Sequence, residues 1–416
     1  MRIIHTADWH IGNTFYGFDR SAEHRHFLNF LLETISEYQA DALVVAGDVF
    51  DNPNPSAEAQ AIYYDFLGRA LSENPGLQIV VIAGNHDSAA RLEAPQPILE
   101  GRGVFVRGSL HHNDKGDPLT EELMVELHSR RDADDTVVCL AVPFLRTPDL
   151  PREETFSKSM GKFFNSLIKE ARSQYGKKQR LMLAAHFYAT GSEINADDHS
   201  ERVIIGGEEN VDATKFCEGI GYVALGHIHK AQRVSGMDNV RYSGSALPMS
   251  FGERGYRHGV NIVDFNDDGT VGLTPVEYHP LRTLVSIPRS GTTTPADAQE
   301  AAKDFAKADK KSQTDEWPYV EVVLSEAPDS ATAHSIKESF DGREALLCVI
   351  RNKGVGGGTG LKEMEAQTEE QLRQLDPTTL VRSLYKARYN GEEMPQALID
   401  KFNAAVRIAK ENEERE

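Results

Sequence analysis

The chain has 416 residues, of which 40% are hydrophobic, so it is long enough for more than one domain and apolar enough to bury a sizeable core. Its formal net charge of −19 excludes binding of nucleic acid through general positive charge, because an acidic surface repels phosphate unless metal ions or a partner supply positive charge locally. No apolar run approaches the ~20 residues that a membrane-spanning helix needs.

The N-terminus and the cysteines favour a cytoplasmic protein. Residues 1–10 are strand-like and then polar, without the apolar core of a secretory signal peptide. Cys139, Cys217 and Cys348 are far apart and show no paired spacing, which is typical of thiols in a reducing compartment. We therefore expect a cytoplasmic protein without a membrane segment.

The first 230 residues alternate between short apolar runs and helical patterns. The predicted buried strands are 2–6, 42–46, 78–83, 136–140, 181–185 and 222–225. Apolar residues at helical spacing predict one helix around Phe27 and Leu31, and another around Ile62 and Phe66. This alternation predicts an α/β domain with a largely buried sheet.

The segments that follow predict antiparallel strands and then a second, smaller unit. Residues 232–278 alternate in short segments, with a hairpin turn at Asn266–Gly269. Residues 109–135 are polar and predict a surface insertion, and 188–210 are hard to place. Strands at 284–287, 319–324 and 346–350, with helices near 295–307 and 329–340, predict a small α/β unit. The expected domains are 1–280 and 281–352, followed by a linker at 353–376 and helices within 377–416.

Side chains that bind metals follow five of the predicted strands. They are Asp8, His10, Asp48, Asn85, His186, His227 and His229. Because the carboxyl ends of strands in an α/β sheet face one crevice, these side chains can surround one point. Oxygen and nitrogen ligands without thiolate suit manganese, iron or zinc. The set exceeds one coordination sphere, which indicates two ions about 3.5–4 Å apart, with Asp48 as the natural bridge.

Each part of this set also has an ordinary structural explanation. Asp48 alone is compatible with a helix N-cap, and His186 alone with a satisfied polar core residue. His227 and His229 are a stronger signal, since alternate residues of an extended chain point to the same side. All five segments together, each after an apolar run, favour a metal site. Other histidines, including His24, His26, His111 and His112, are interpreted as structural or solvated.

The five motifs resemble those of the calcineurin-like binuclear metallophosphoesterases across residues 1–230. The stretches 1–12, 45–51, 224–230 and 240–245 resemble, more narrowly, the SbcD family, the bacterial nuclease subunits of SbcCD double-strand-end processing complexes. This resemblance covers nearly the whole chain except 109–135 and 188–210. It implies an α/β fold: a metallophosphoesterase β-sandwich flanked by helices, a small α/β capping domain and C-terminal helices.

The resemblance also implies a role for each motif residue. One ion is expected on Asp8, His10, Asp48 and His229, and the other on Asp48, Asn85, His186 and His227. Two divalent ions, Mn²⁺ above all, are implied as cofactors. His86 is expected to contact the scissile phosphate or to help protonate the leaving oxygen, with Asp87 holding its imidazole. Gly84 is expected to allow a tight turn, whereas Asp51 is left open between a contact behind the ligands and a helix cap.

The implied activity is 3′ to 5′ digestion of DNA double-strand ends and endonuclease cleavage of single strands and hairpins, in recombination, repair and replication. An SbcC-like, ABC-type coiled-coil ATPase is implied as partner, docked on the C-terminal helices, which in the alternative fold back onto the capping domain. A homodimer through the helices after Asp48 and Asn85 is also implied. Basic side chains near the motif loops are expected either to contact phosphate or to be solvated surface charges, namely Arg20, Arg25, Arg91 and Lys230.

Two other functions are compatible with the motifs. The first is hydrolysis of small phosphodiesters or phosphomonoesters by the same metal site, although such an enzyme needs neither a capping region nor terminal helices. The second is a non-catalytic scaffold, which is expected to have lost ligands, and here all seven are present.

Overall fold

A computed structural model of the chain describes residues 1–193, 210–308, 313–352, 394–396, 398–399 and 401–402. The strands are β1 (Arg2–Thr6), β2 (Thr14–Phe15), β3 (Phe18–Asp19), β4 (Ala42–Ala46), β5 (Gln78–Ile82), β6 (Val104–Arg107), β7 (Met124–His128), β8 (Thr136–Ala141), β9 (Leu181–His186), β10 (Tyr222–Gly226), β11 (Gln232–Val234), β12 (Met237–Tyr242), β13 (Gly259–Phe265), β14 (Val271–Glu277), β15 (Leu284–Ile287), β16 (Tyr319–Leu324) and β17 (Leu346–Asn352). The helices are α1 (Ser21–Glu37), α2 (Ala57–Glu73), α3 (Ala89–Glu93), α4 (Gln96–Leu99), α5 (Phe156–Tyr175), α6 (Pro295–Ala301) and α7 (Ser330–Phe340).

Two six-stranded sheets form a sandwich. The first has the order β14-β13-β1-β4-β5-β6, and the second has the order β11-β12-β10-β9-β8-β7. In each sheet the central strands are parallel. Antiparallel strands lie at one edge of the first sheet, where β13 and β14 pair, and at both edges of the second sheet, which end in β11 and β7. The inner faces share one core, in which Val44 and Val80 of the first sheet meet Met182 and Ala224 of the second. This arrangement confirms the expected β-sandwich of the α/β class.

Helices cover the outer faces of the sandwich. Phe27 of α1 and Phe66 of α2 pack on the outer side of the first sheet, and Phe164 of α5 packs on the outer side of the second. The central strands therefore bury both faces, which explains their continuous apolar sequences. Helix α2 begins after Ser56, whose hydroxyl accepts the backbone N–H of Ala59. Asp48 is therefore not the N-cap of α2.

The expected surface insertion at 109–135 is wrong in part. Its second half contains β7, which pairs antiparallel with β8 at the edge of the second sheet. Val125 and Leu127 of β7 are buried in the inner core. The beginning of the segment, around His112, and residues 131–134 near its end have the expected exposed character. The predicted hairpin at Asn266–Gly269 is confirmed between β13 and β14.

The second unit is a parallel three-stranded sheet, β15-β16-β17, with α6 and α7 packed on it. All three strands begin where predicted. The unit contacts the sandwich through an aromatic cluster in which Phe15, Phe251 and Tyr319 pack together. Its boundary at 280/281 stays a prediction.

The expected linker at 353–376 and most of the expected C-terminal helices at 377–416 lie outside the described residues, as does most of 188–210. Among the residues that are described, no helix combines the length and the apolar character needed to cross a membrane.

Candidate metal centre

Five loops at one edge of the sandwich carry all of the predicted ligands. In the first sheet, Asp8 and His10 follow β1, Asp48 follows β4 and Asn85 follows β5. In the second sheet, His186 ends β9, while His227 and His229 follow β10. Parallel strands of both sheets end at this edge, so segments more than 200 residues apart meet there, as in the contact between Asp8 and His227.

The loops are cross-linked through their backbones. The N–H of Asp8 donates to the carbonyl of Gly47 at 3.0 Å, and the N–H of His10 donates to the carbonyl of Asp48 at 3.0 Å. The carboxylate of Asp8 accepts the N–H of His227 at 2.9 Å. These hydrogen bonds hold the loops after β1, β4 and β10 together without the help of an ion.

Four of the predicted ligands have left-handed backbone conformations that side chains other than glycine seldom adopt. The φ angles are 52° for Asp8, 46° for His10, 49° for Asp48 and 103° for His227. Such conformations cost on the order of 1–3 kcal/mol each and persist where surrounding structure imposes them, most often at functional sites. The strain is therefore concentrated where the sequence predicts chemistry.

The ligand atoms form overlapping groups around Asp48. Three groups have ligand atoms within 4.8 Å of one another, and they are Asp8–His10–His229, His10–Asp48–His86 and Asp8–Asp48–His186. Asp48 belongs to two of the three groups, with its Oδ2 3.3 Å from Nε2 of His186 and 3.8 Å from Nε2 of His10. This position fits the expected bridge between two ions.

Asn85 faces two imidazoles. Its Oδ1 lies 2.9 Å from Nε2 of His186 and 3.0 Å from Nδ1 of His227. The second expected ligand set, which contains these three residues and Asp48, is therefore brought together.

The electrostatics of the cluster favour a positive charge inside it. Burial alone lowers the pKa of His186, but the neighbouring carboxylates of Asp48 and Asp8 outweigh burial and raise it to about 9. For Asp48, burial acts in the opposite sense, yet the imidazoles of His186 and His10 hold the pKa of its carboxyl below the usual range. Burial, and then the proximity of His186, lowers the pKa of His227 to about 3, so this ring has a lone pair available at neutral pH.

The polar atoms of His10 fit a metal ligand. Its side chain is buried, and neither ring nitrogen has a hydrogen-bond partner among the described residues. Buried polar atoms are nearly always paired, so an orphaned imidazole beside carboxylates is explained by a cation. Together with the donor set of carboxylates, amide and imidazoles, this makes the cluster compatible with two divalent metal ions.

The expected role of Asp87 is wrong. Its carboxylate is buried and accepts three backbone N–H groups, those of Val49, Phe50 and Gly84, at 2.9–3.1 Å. The His86 imidazole instead places Nδ1 2.8 Å from the backbone carbonyl of Asp51. Asp87 thus joins the β4 and β5 loops, and burial followed by the charge of Asp48 raises its pKa to about 6.

Several lesser expectations concern basic and imidazole side chains near the site. The guanidinium of Arg20 is buried and paired with Glu23 at 3.0 Å, so it is not a phosphate contact. His24 is buried, with its ring nitrogens near the carbonyls of Arg20 and Trp9, which agrees with the structural one of its two predicted roles. Arg25 pairs with Glu58, and Lys230 pairs with Glu193, while a phosphate contact of either side chain stays a prediction.

Two further expectations concern Arg91 and Asp51. Arg91 is exposed, and its phosphate contact stays a prediction. The carboxylate of Asp51 accepts the side-chain N–H of Asn13 and lies 3.6 Å from His10, so the helix-cap alternative is wrong.

The sequence did not predict that glycines beside the predicted ligands are required for close packing. An added Cβ on Gly47 would lie 2.2 Å from Nδ1 of His186, and one on Gly226 would lie 1.9 Å from the carbonyl oxygen of Ala46. An added Cβ on Gly84 would lie 2.1 Å from Oδ1 of Asp48. Gly84 does not have a positive φ, so close packing rather than a tight turn explains it. The available signal was a glycine directly before Asp48, Asn85 and His227.

Comparison with known proteins agrees with this geometry. Residues 1–231 match the family described as calcineurin-like phosphoesterase. The chain is similar to proteins named as the SbcD component of the nuclease SbcCD: 42% identical over 272 residues for that of Rhodobacter capsulatus, 34% over 277 for that of Escherichia coli K12 and 36% over 275 for that of Bacillus subtilis. Each match covers 64% of this chain and 66% of the relative, slightly less than two thirds of its length.

Proposed function

Because this chain belongs to the calcineurin-like phosphoesterase family, we propose that it is a metal-dependent DNA nuclease that hydrolyses phosphodiester bonds at the edge of the sandwich. The observation that carries the proposal is the convergence of carboxylates, imidazoles and one amide from five strand ends on a buried cluster. The similarity to the SbcD components of SbcCD nucleases supports DNA as the substrate.

We assign the ligands to two ions. One is held by Asp8, His10, Asp48 and His229, and the other by Asp48, Asn85, His186 and His227. The shared position of Asp48 and the contacts of Asn85 support this division. Mn²⁺ suits the mixed oxygen and nitrogen donors. Bound ions of this kind polarise phosphate oxygens, lower the pKa of a bound water and offset charge in an in-line displacement.

Asn85 contributes an oxygen ligand without a negative charge. The cluster already contains the carboxylates of Asp8 and Asp48, and a third carboxylate would oppose the approach of an anionic phosphate. The amide therefore completes the ligand set while preserving affinity for the substrate.

We propose that His86 transfers a proton. Since a carbonyl oxygen only accepts hydrogen bonds, Nδ1 of His86 carries the hydrogen that it shares with Asp51. Nε2 is then the nitrogen left for the substrate, and the half-buried ring lies 4.8 Å from the His10 ring. We assign to it contact with the scissile phosphate and, when doubly protonated, donation of a proton to the leaving oxygen.

The substrate and partners follow from the relatives and from the charge. We propose cleavage of double-strand ends from 3′ to 5′ and of single strands and hairpins, together with an SbcC-like ATPase. Such a partner supplies DNA-binding surface, which relieves the conflict with a net charge of −19.

We also propose a homodimer through α2 and the α3–α4 segment. These helices carry two of the large exposed hydrophobic side chains among the described residues, Tyr64 at 37% and Ile98 at 74% exposure. Sedimentation velocity measures this assembly directly.

A cytoplasmic location is favoured by the cysteines, all three of which are free thiols, and cell fractionation would test it.

The proposal is tested by Mn²⁺-dependent digestion of free-ended and end-blocked duplex DNA, with and without the ATPase partner and ATP. His86→Ala is expected to reduce cleavage by about 100- to 10,000-fold, the usual contribution of general acid–base catalysis. His112→Ala, which alters an exposed imidazole in the loop before β7, is the matched control and should cut normally. Failure to cut either DNA under all conditions, with hydrolysis of a small phosphodiester, would favour the small-molecule esterase instead.

A further inference from the structure

Glu253 lies outside every motif that predicted the site, yet it contacts one of the predicted ligands. It sits in the short turn Phe251–Glu253 between β12 and β13, and its side chain is completely buried. Its Oε1 is 3.3 Å from Nδ1 of His229, while its Oε2 accepts the backbone N–H of Met249 at 2.9 Å. The carboxylate is therefore held from both sides.

This contact determines which nitrogen of His229 is available to an ion. An ionised carboxylate only accepts hydrogen bonds, so Nδ1 of His229 must carry the hydrogen and the lone pair of the neutral ring is on Nε2. His229 is only 5% exposed, and its ring lies 5.2 Å from the His10 ring. Its backbone is also fixed, because its carbonyl accepts the N–H of Ser245 at 3.0 Å.

We propose that Glu253 is a positioning residue for the metal site, which orients the His229 imidazole so that Nε2 is presented to the ion shared with Asp8, His10 and Asp48. The inference rests on the proposed function, because it takes His229 as a ligand. Carboxylates behind metal-binding histidines fix the tautomer and increase ligand basicity, and their loss commonly weakens metal binding by about 10- to 100-fold.

The first test is calorimetric titration of the full-length, metal-free protein with MnCl₂. Wild type is expected to bind two ions. Glu253→Gln keeps the size of the side chain and an oxygen for Met249, so the turn should fold, but one of the two sites is expected to weaken by about tenfold. Glu253→Ala is expected to weaken the same site by about 100-fold and to leave the other unchanged.

The matched control is Asp41→Asn. Asp41 is also buried and also accepts backbone N–H groups, those of Arg2 and Arg130 at 2.7 Å, but it lies at the opposite end of β1. This variant should bind both ions as wild type does. Circular dichroism of each variant verifies folding.

The second readout does not depend on metal. In ¹⁵N-histidine-labelled protein without metal, the His229 signals, assigned by their loss in His229→Gln, should show a proton on Nδ1, and Glu253→Ala should remove this preference. Unchanged affinity at both sites in folded Glu253→Gln and Glu253→Ala, or a wild-type His229 that carries its proton on Nε2, would overturn the inference. Wild type that binds no Mn²⁺ but retains the Nδ1 proton would count against the proposed function and not against the contact.

Discussion

Single glycines allow the predicted metal ligands to pack closely together. Gly84 stands where an added Cβ would lie 2.1 Å from Oδ1 of Asp48 and 2.3 Å from its backbone nitrogen. Contacts this short involve backbone, so rotation of a flexible side chain cannot relieve them. The residue before Asn85 is thus constrained by Asp48, which the chain places 36 positions earlier.

We predict that Gly84→Ala displaces Asp48 and lowers Mn²⁺ affinity, and that it destabilises the fold by about 1–3 kcal/mol, as overpacked sites do. Calorimetric Mn²⁺ titration and urea unfolding measure the two effects. Gly101→Ala is the control, because a Cβ there meets no atom within 4 Å. Wild-type affinity in Gly84→Ala would show that the loop moves freely.

Buried His5 gives the fold a pH dependence of its own. Its ring nitrogens lie 3.0 Å from the Tyr222 hydroxyl and 3.2 Å from the Leu225 carbonyl, in the core between the sheets. Burial lowers its pKa to about 3, although the carbonyl contact acts in the opposite direction. Between this value and the ordinary value near 6.5, the unfolded chain binds a proton that the folded chain does not, so stability falls as the pH is lowered.

We therefore predict that His5 removes about 2 kcal/mol of stability between pH 7 and pH 5. His5→Gln should lose this contribution, so its free energy of unfolding should fall less over the same range. Urea unfolding in the presence of a chelator at both pH values measures the difference, in which the other titrating groups cancel. Parallel pH profiles for the two proteins would contradict the prediction.

At the scale of elements, the first turn of α1 connects the second, smaller unit to the loop after β1, which carries two of the predicted metal ligands. The hydroxyl of Tyr319 on β16 donates to Glu23 at 2.7 Å, and Arg20 donates to the same carboxylate. The next residue, His24, has Nε2 3.1 Å from the carbonyl of Trp9, between two predicted ligands. One buried network therefore supports both the domain contact and the β1 loop.

Tyr319→Phe should remove the hydrogen bond to Glu23 and keep the aromatic packing. We expect a loss of about 1.5–3 kcal/mol, the usual contribution of a hydrogen bond to a charged group. Urea unfolding measures this loss. Tyr64→Phe, at a half-exposed tyrosine on α2, should change stability by less than about 0.5 kcal/mol. An equal loss of stability in the two variants would show that the hydrogen bond from Tyr319 to Glu23 does not stabilise the contact between the second unit and the sandwich.

At the scale of the whole molecule, bound ions should stabilise the native fold. The ligands come from both sheets, so an ion that binds the folded chain has no comparable site in the unfolded chain. We predict that Mn²⁺ at 100 times its dissociation constant adds about 2.7 kcal/mol per site and raises the melting temperature. Asp48→Asn, which alters the residue that we propose as the shared ligand, should lose most of this increase. Calorimetry at constant ionic strength measures it, and an equal increase in both proteins would contradict a role of Asp48 in binding.

Local sequence was sufficient to predict the central strands and the polar side chains that follow them. Continuous apolar runs such as 42–46 and 181–185 indicate strands that are buried on both faces. Polar residues directly after such runs are therefore easy to recognise. The five strand ends, the hairpin after β13 and the second unit of alternating strands and helices were all predicted on this basis. Strand β7 was missed because charged residues around it obscure the apolar pair Val125 and Leu127.

Only the tertiary structure determined what the polar residues contact. Asp87 and His86 are neighbours in sequence, yet one binds backbone N–H groups of the β4 loop and the other binds the carbonyl of Asp51. The burial of Arg20 depends on Glu23 and on a carbonyl more than 200 residues away, that of Pro248. The sequence by itself determined which residue types reach the edge of the sandwich, because hydrophobic periodicity is local. Hydrogen-bond partners are set by segments that meet only when both sheets pack, so no local pattern encodes them.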